Sequence, residues 1–165
     1  MKKQLILFVL MFSFVSSCAF KPLYKKTNSF SNYKINIIVK SKDYYENNVS
    51  MMKLFLNQKL NKKGSKKSSL KLIVSIDRSV SNIGIKKDLS SDARIVRITI
   101  IYSFYDKKGE LSSGSLKNSA SFNYTMNNYA NMVSLEDASS KLIKSLSSDL
   151  ANLLISGSFN RNINP

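Results

Sequence analysis

Few side chains in this sequence could do covalent chemistry. Cys18 is the only cysteine among 165 residues, and there is no histidine. A single thiol excludes an internal disulfide. The missing imidazole removes the commonest general base and the commonest metal ligand together. Serine is abundant, but no serine sits in a G-x-S-x-G elbow, and Ser65-Lys66 falls in a charged connection. Glu46, Glu110 and Glu136 fall at expected helix starts or in a turn, where capping or solvation accounts for them. These residues point to a protein that is not an enzyme, with no catalytic residue, no metal site and no dissociable cofactor. The chemistry that remains is charge. Lys and Arg number 26 against 10 Asp and Glu, a formal net charge of +16. That balance favours nucleic acid, an acidic membrane surface or a phosphorylated glycolipid as partner. The chain is also rich in Lys, Asn, Ile and Ser and poor in Ala, Gly, Pro and Trp, as AT-rich coding produces, so the lysine count by itself assigns no partner.

The surroundings of Cys18 say what its thiol is for. Lys2 and Lys3 precede Leu5 to Val15, LILFVLMFSFV, which is 11 residues with one serine. Such a run has the length of a signal-peptide core and is too short to cross a hydrocarbon layer of about 30 Å as a helix. Ser16 and Ser17 are small, as a peptidase needs beside its cut. Val15-Ser16-Ser17-Cys18 resembles a bacterial lipobox, with Val where Leu is usual. The resemblance implies a diacylglycerol on the Cys18 sulfur, cleavage before Cys18 and acylation of the new amine, and so a membrane anchor of more than one chain. Residues 1–17 are then signal peptide, and 18–32 a lipidated N-terminus and tether.

The elements behind the tether follow from periodicity. Tyr33 to Lys40 alternates as a strand. Asp43 and Glu46 form a capping-box pattern, followed by Val49, Met52, Leu56 and Leu60 at helical spacing, a helix over about 44–61 with Gly64 as its stop. Leu70 to Ile76 alternates again and extends loosely to Val80, and 81–92 reads as a connection. Arg94 to Tyr105 is a strong strand, with Val96, Ile98, Ile100, Tyr102 and Phe104 on one face. Residues 106–110 form a turn with Gly109 able to take positive φ. Leu111 to Met126 returns as a partner strand, weak over Ser112 to Ser115. Ser134 and Asp137 make a second capping box, opening a helix carrying Leu135, Ala138, Leu142, Leu146, Leu150 and Leu153, with Gly157 as its stop. The order β-α-β-β-β-α, with one apolar face per strand and one apolar stripe per helix, predicts an α+β two-layer sandwich: a four-stranded, mostly antiparallel sheet with two helices on one face. A single domain covers 33–157, and 158–165 is a polar tail. The other sheet face, with Thr and Ser among Ile and Tyr, suits a protein or lipid partner.

Three stretches resemble the LPS-assembly lipoprotein family LptE. Cys18 to Tyr24, CAFKPLY, is similar to the family opening Cys-Gly-Phe-Arg-Pro-Leu-Tyr, with Ala19 in place of Gly. Asp92 to Asp106 with Gly109 resembles its strand and hairpin, with Phe104 where Leu is common. Asn123 to Ala138 resembles the segment leading into its last helix. Together they cover about a third of the mature chain. The resemblance implies an outer-membrane lipoprotein that partners the LPS-translocating β-barrel LptD and assists barrel assembly and insertion of lipopolysaccharide into the outer leaflet. The absence of Asp after Cys18 agrees with outer-membrane sorting. The cations of the hairpin region, Arg94, Arg97, Lys107, Lys108 and Lys117, are candidates for LPS head groups, because Arg grips phosphate bidentately and Lys as a point charge. The alternative is an auxiliary lipoprotein of an ABC-type phospholipid-trafficking complex. Export argues against nucleic acid, and the aromatics Tyr102, Phe104, Phe122 and Tyr124 fall on core-type alternation rather than on a stacking platform.

Overall fold

The computed structural model describes residues 33–41, 46–61, 66–83 and 93–157. The signal segment, Cys18, the tether, Asp43, Gly64 and the polar tail lie outside the described residues. Six elements follow in chain order: β1 (Tyr33–Ser41), α1 (Glu46–Leu60), β2 (Lys66–Ile83), β3 (Ala93–Asp106), β4 (Gly109–Asn123) and α2 (Asn128–Ser156). The fold is α+β, as the periodicity predicts. The sheet order is β1-β2-β3-β4, with β1 parallel to β2 and the other two pairs antiparallel.

Alternation puts every buried strand residue on one face. Ile37 lies opposite Leu72 and Leu72 opposite Phe104, while Ile76 lies opposite Ile100 and Ile100 opposite Leu116. This row joins Met52, Leu56 and Leu60 of α1 and Leu142, Ile143, Leu146, Leu150 and Leu154 of α2 in one apolar cluster. Both helices therefore cover the same face, and each fully buried Leu or Ile contributes about 1.5–3 kcal/mol. Lys59 Nζ reaches Ser148 Oγ and the Ser140 hydroxyl approaches the Met51 sulfur, so the helices ascend together in parallel. Small residues let them close in: Ser147 sits against the Met52 sulfur and donates to the Ile143 carbonyl at 2.6 Å.

Four element boundaries differ from expectation. β2 begins at Lys66 rather than at Leu70. α2 starts two turns before Ser134. Its N-cap is Asn127, whose side-chain oxygen accepts from Tyr129 N at 3.0 Å and Ala130 N at 3.2 Å. Ser134 and Asp137 are interior helix residues, and the expected capping box there is not the start. The entry is pinned by Asn131, whose amide pairs with both the N–H and the carbonyl of Thr125, each at 2.7 Å. β2 runs on through Ile83 rather than entering a connection at 81. β4 is regular through the serine run that reads as weak, because its pairing with β3 supplies what side-chain propensity lacks. It stops at Asn123, short of Met126. The turn behaves as expected: Gly109 has φ of 130°, and Asp106 Oδ1 accepts from Lys108 N at 2.7 Å.

Glu136, expected at a helix start, instead joins the layers. Arg78 of β2 points to the helix side, its side chain 4% exposed, and its Nη1 lies 3.2 Å from both Glu136 Oε1 and Ser139 Oγ of α2.

Candidate functional site

The five candidate cations do not converge. Lys107 and Lys108 occupy the exposed β3–β4 turn, at the end of the molecule where β1 begins. Arg94 lies at the other end of β3, about 40 Å away at roughly 3.3 Å per residue. Arg97 and Lys117 are exposed on the uncovered sheet face, Arg97 opposite Ser79 and Ser119, Lys117 opposite Thr99. Arg94 is on the helix-covered face, half-buried, opposite Asn82 and Phe122.

The end that holds Arg94 has the more distinctive chemistry. The last residues of β2, the first of β3, the last of β4 and the start of α2 all meet there. The Arg94 guanidinium carbon stands 3.4 Å above the Tyr124 ring centre. Its Nε is buried and has no hydrogen-bond partner. Stacking holds the guanidinium plane while leaving donor capacity unspent. Around it, Val80, Ile83, Met126, Tyr129, Met132 and Val133 are all exposed. Among the described residues of this end (78–83, 93–98 and 119–135) there is no Asp or Glu, and the charges are Arg78, Arg94 and Arg97. Arg78 is engaged by Glu136 and Arg97 stands on the uncovered sheet face, which leaves Arg94 as the cation on the helix side of this end. An arginine with spare donor capacity beside exposed methyl and aromatic groups suits an anionic amphiphile: the guanidinium takes an acidic head group and the apolar rim takes hydrocarbon.

The apolar part of this end was not visible in sequence. Tyr129, Met132 and Val133 fall on one helical face by their spacing, but that signal belongs to the two turns of α2 ahead of Ser134. Read from the true N-cap, the same residues form a stripe exposed to solvent. Serine–lysine spacing offers no rival site: Ser50 and Lys53 of α1 are i,i+3 neighbours but both are exposed.

No protein-family model matches the chain, and no curated protein matches it in sequence. Its likeness is to solved structures of bacterial lipoproteins. A chain assigned as a lipoprotein in Caulobacter crescentus CB15 superposes with a TM-score of 0.54 at 15% identity, over 78% of this chain and 90% of that one. A minor lipoprotein of Acinetobacter baumannii gives 0.51 at 14% identity, over 75% and 92%. The uncharacterized lipoprotein B of Nitrosomonas europaea gives 0.51 at 10% identity, over 76% and 86%. At these identities the likeness is one of fold, and this fold is the one those lipoproteins share.

Proposed function

We propose that this chain is an outer-membrane lipoprotein of the LptE kind, held by acyl chains on Cys18, which assists the assembly of an LptD-like barrel and the insertion of lipopolysaccharide into the outer leaflet. One observation carries the reading: the end where Arg94 stacks on Tyr124 with its buried Nε lacking a hydrogen-bond partner, together with the exposed Met126, Tyr129 and Met132, while Arg97 stands at the same end on the opposite sheet face. Lipopolysaccharide combines phosphates with acyl chains, and this end offers a group for each. The lipobox-like VSSC, the opening CAFKPLY and a fold shared with bacterial lipoproteins support the setting.

Two measurements test it. A tagged full-length chain purified from outer membranes brings down a β-barrel; recovery of an inner-membrane ABC complex instead selects the phospholipid-trafficking role. Retention of lipopolysaccharide by the Arg94→Leu, Arg97→Glu double variant falls roughly tenfold or more, as expected for two charge-assisted contacts of about 1 kcal/mol each. Wild-type retention in a variant with unchanged circular dichroism removes this end from the function.

A further inference from the structure

The two edges of the sheet are built differently. β1 is 9 residues long, and Lys34 and Lys40 project from it into solvent. Where its register with β2 shifts, between Lys34 and Asn36, the side chain of Asn61 takes both main-chain groups of Ile35, accepting from its N–H at 2.7 Å and donating to its carbonyl at 2.9 Å. Lysines, short length and a side-chain clamp are the devices by which edges are kept from pairing. β4 uses them sparingly: one lysine, Lys117, and one side-chain contact to its backbone, in which Asn118 Oδ1 accepts from Ser119 N at 2.8 Å. It is 15 residues long and has one described neighbour, β3. Its register with β3 shifts only near its start and is then unbroken from Ser112 to Asn123. Over that stretch there is no proline and one charge, Lys117. The side chains are small, with Ser112, Ser113, Gly114 and Ser115 in succession. A long, even edge with unspent N–H and C=O groups is a template for another strand.

We infer that the outer edge of β4 takes an extended acidic segment of a partner protein, which joins the sheet as a fifth strand. The alternating main-chain groups require an extended occupant. Charge selects its composition. Lys117 lies on the uncovered face of the edge strand, and Arg97 lies one strand further in, one row along. Carboxylates on that face of an incoming strand meet both. A second copy of this chain is opposed at the same edge by the net charge of +16 that each copy carries. The edge shares Arg97 with the Arg94 end, but its main-chain pairing and Lys117 do not depend on the role proposed there.

The test uses the full-length chain in detergent and a synthetic peptide of about ten residues, a normal strand length, alternating Thr and Glu. Controls replace Glu by Lys, or insert Pro at alternate positions. The acidic peptide slows amide exchange over residues 112–123 of β4 and nowhere else in the sheet. The lysine and proline peptides leave exchange unchanged. Lys117→Glu weakens the acidic peptide about threefold or more, as for a cross-strand pair turned from opposite to like charge, and admits the lysine peptide. Arg94→Leu leaves protection of β4 by the acidic peptide at the wild-type level, which separates this edge from the Arg94 end. The inference is overturned if exchange of the outward-facing β4 amides does not respond, if acidic and lysine peptides protect them equally, or if those outward-facing amides are already protected in the free chain at high dilution.

Discussion

At the scale of single residues, polar side chains do most of the local specification. Asn131 is the clearest case. It is buried, and its amide replaces a missing stretch of ladder by pairing with both main-chain groups of Thr125. Asn131→Ala leaves a donor and an acceptor without partners and costs about 1–3 kcal/mol, read as a lower urea midpoint with unchanged slope. Gly114 answers to packing. A Cβ there would lie 3.0 Å from the Tyr102 hydroxyl oxygen and 3.1–3.2 Å from its ring, and Tyr102 is buried and has little room to retreat. Gly114→Val therefore destabilises by about 1–3 kcal/mol, with Tyr102→Ala suppressing the difference between Gly and Val in a double-mutant cycle. Asn48 runs the other way. It is 1% exposed and neither amide atom has a hydrogen-bond partner. Asn48→Leu removes a buried amide that gains nothing from its surroundings and raises the denaturation midpoint, by about 1 kcal/mol. None of these three roles is legible in sequence, because Asn and Ser are common throughout this chain and their partners are set by the fold.

At the scale of elements, the link between β2 and α2 rests on a pair that crosses the layers. Arg78 is almost fully covered and Glu136 is 41% exposed, so the pair is closed on one side and wet on the other. Glu136→Ala leaves a covered guanidinium without its carboxylate, with Ser139 Oγ still accepting from it, and costs about 2–3 kcal/mol, less than a wholly buried pair would lose. Replacing both residues by Met recovers most of that loss. Thermal unfolding of the three variants checks the order. The elements themselves were largely legible. The strand alternation of β1, β2 and β3 and the stripes of both helices gave type and order correctly, since each of those elements buries one face and its period is the period of burial. What the pattern missed has one physical cause. The first two turns of α2 and the last residues of β2 extend past the core, so their apolar residues, Tyr129, Met132, Val133, Val80 and Ile83, obey no burial rhythm. A reading based on burial places the start of α2 at Leu135, where burial resumes, and the end of β2 before residue 81. Of the candidate cations, the sequence named Arg94 and Arg97, which the fold brings to one end. The strand Arg94 to Tyr105 and the turn at 106–110, both read from the sequence, already set Lys107 and Lys108 a strand's length from Arg94, and the fold keeps them there.

For the molecule as a whole, the described chain enters at Tyr33, at the end opposite Arg94, since β1 and β2 run in parallel from that end. The described domain therefore begins at the end where Lys107 and Lys108 sit, and Arg94 lies about 40 Å away from it along β3. Cys18→Ser is expected to lose metabolic palmitate label and to leave the membrane pellet, while the circular dichroism of the domain stays unchanged. Loss of label with full membrane retention would mean that the protein is held by its partner rather than by its lipid. The parallel course of the two helices adds a polarity that no residue count contains. Peptide dipoles in antiparallel helices cancel, but in α1 and α2 they add. Each helix contributes the equivalent of about half a positive elementary charge at its N-terminus and half a negative one at the other. The N-terminus of α2 lies at the Arg94 end, and α1 starts about two turns further down, since its Met51 meets Ser140 of α2. The backbone alone makes that end electropositive, so a chain stripped of both arginines keeps a weak, salt-screened attraction for phosphate there, and the molecule as a whole tends to orient in an external field with Arg94 toward the anion.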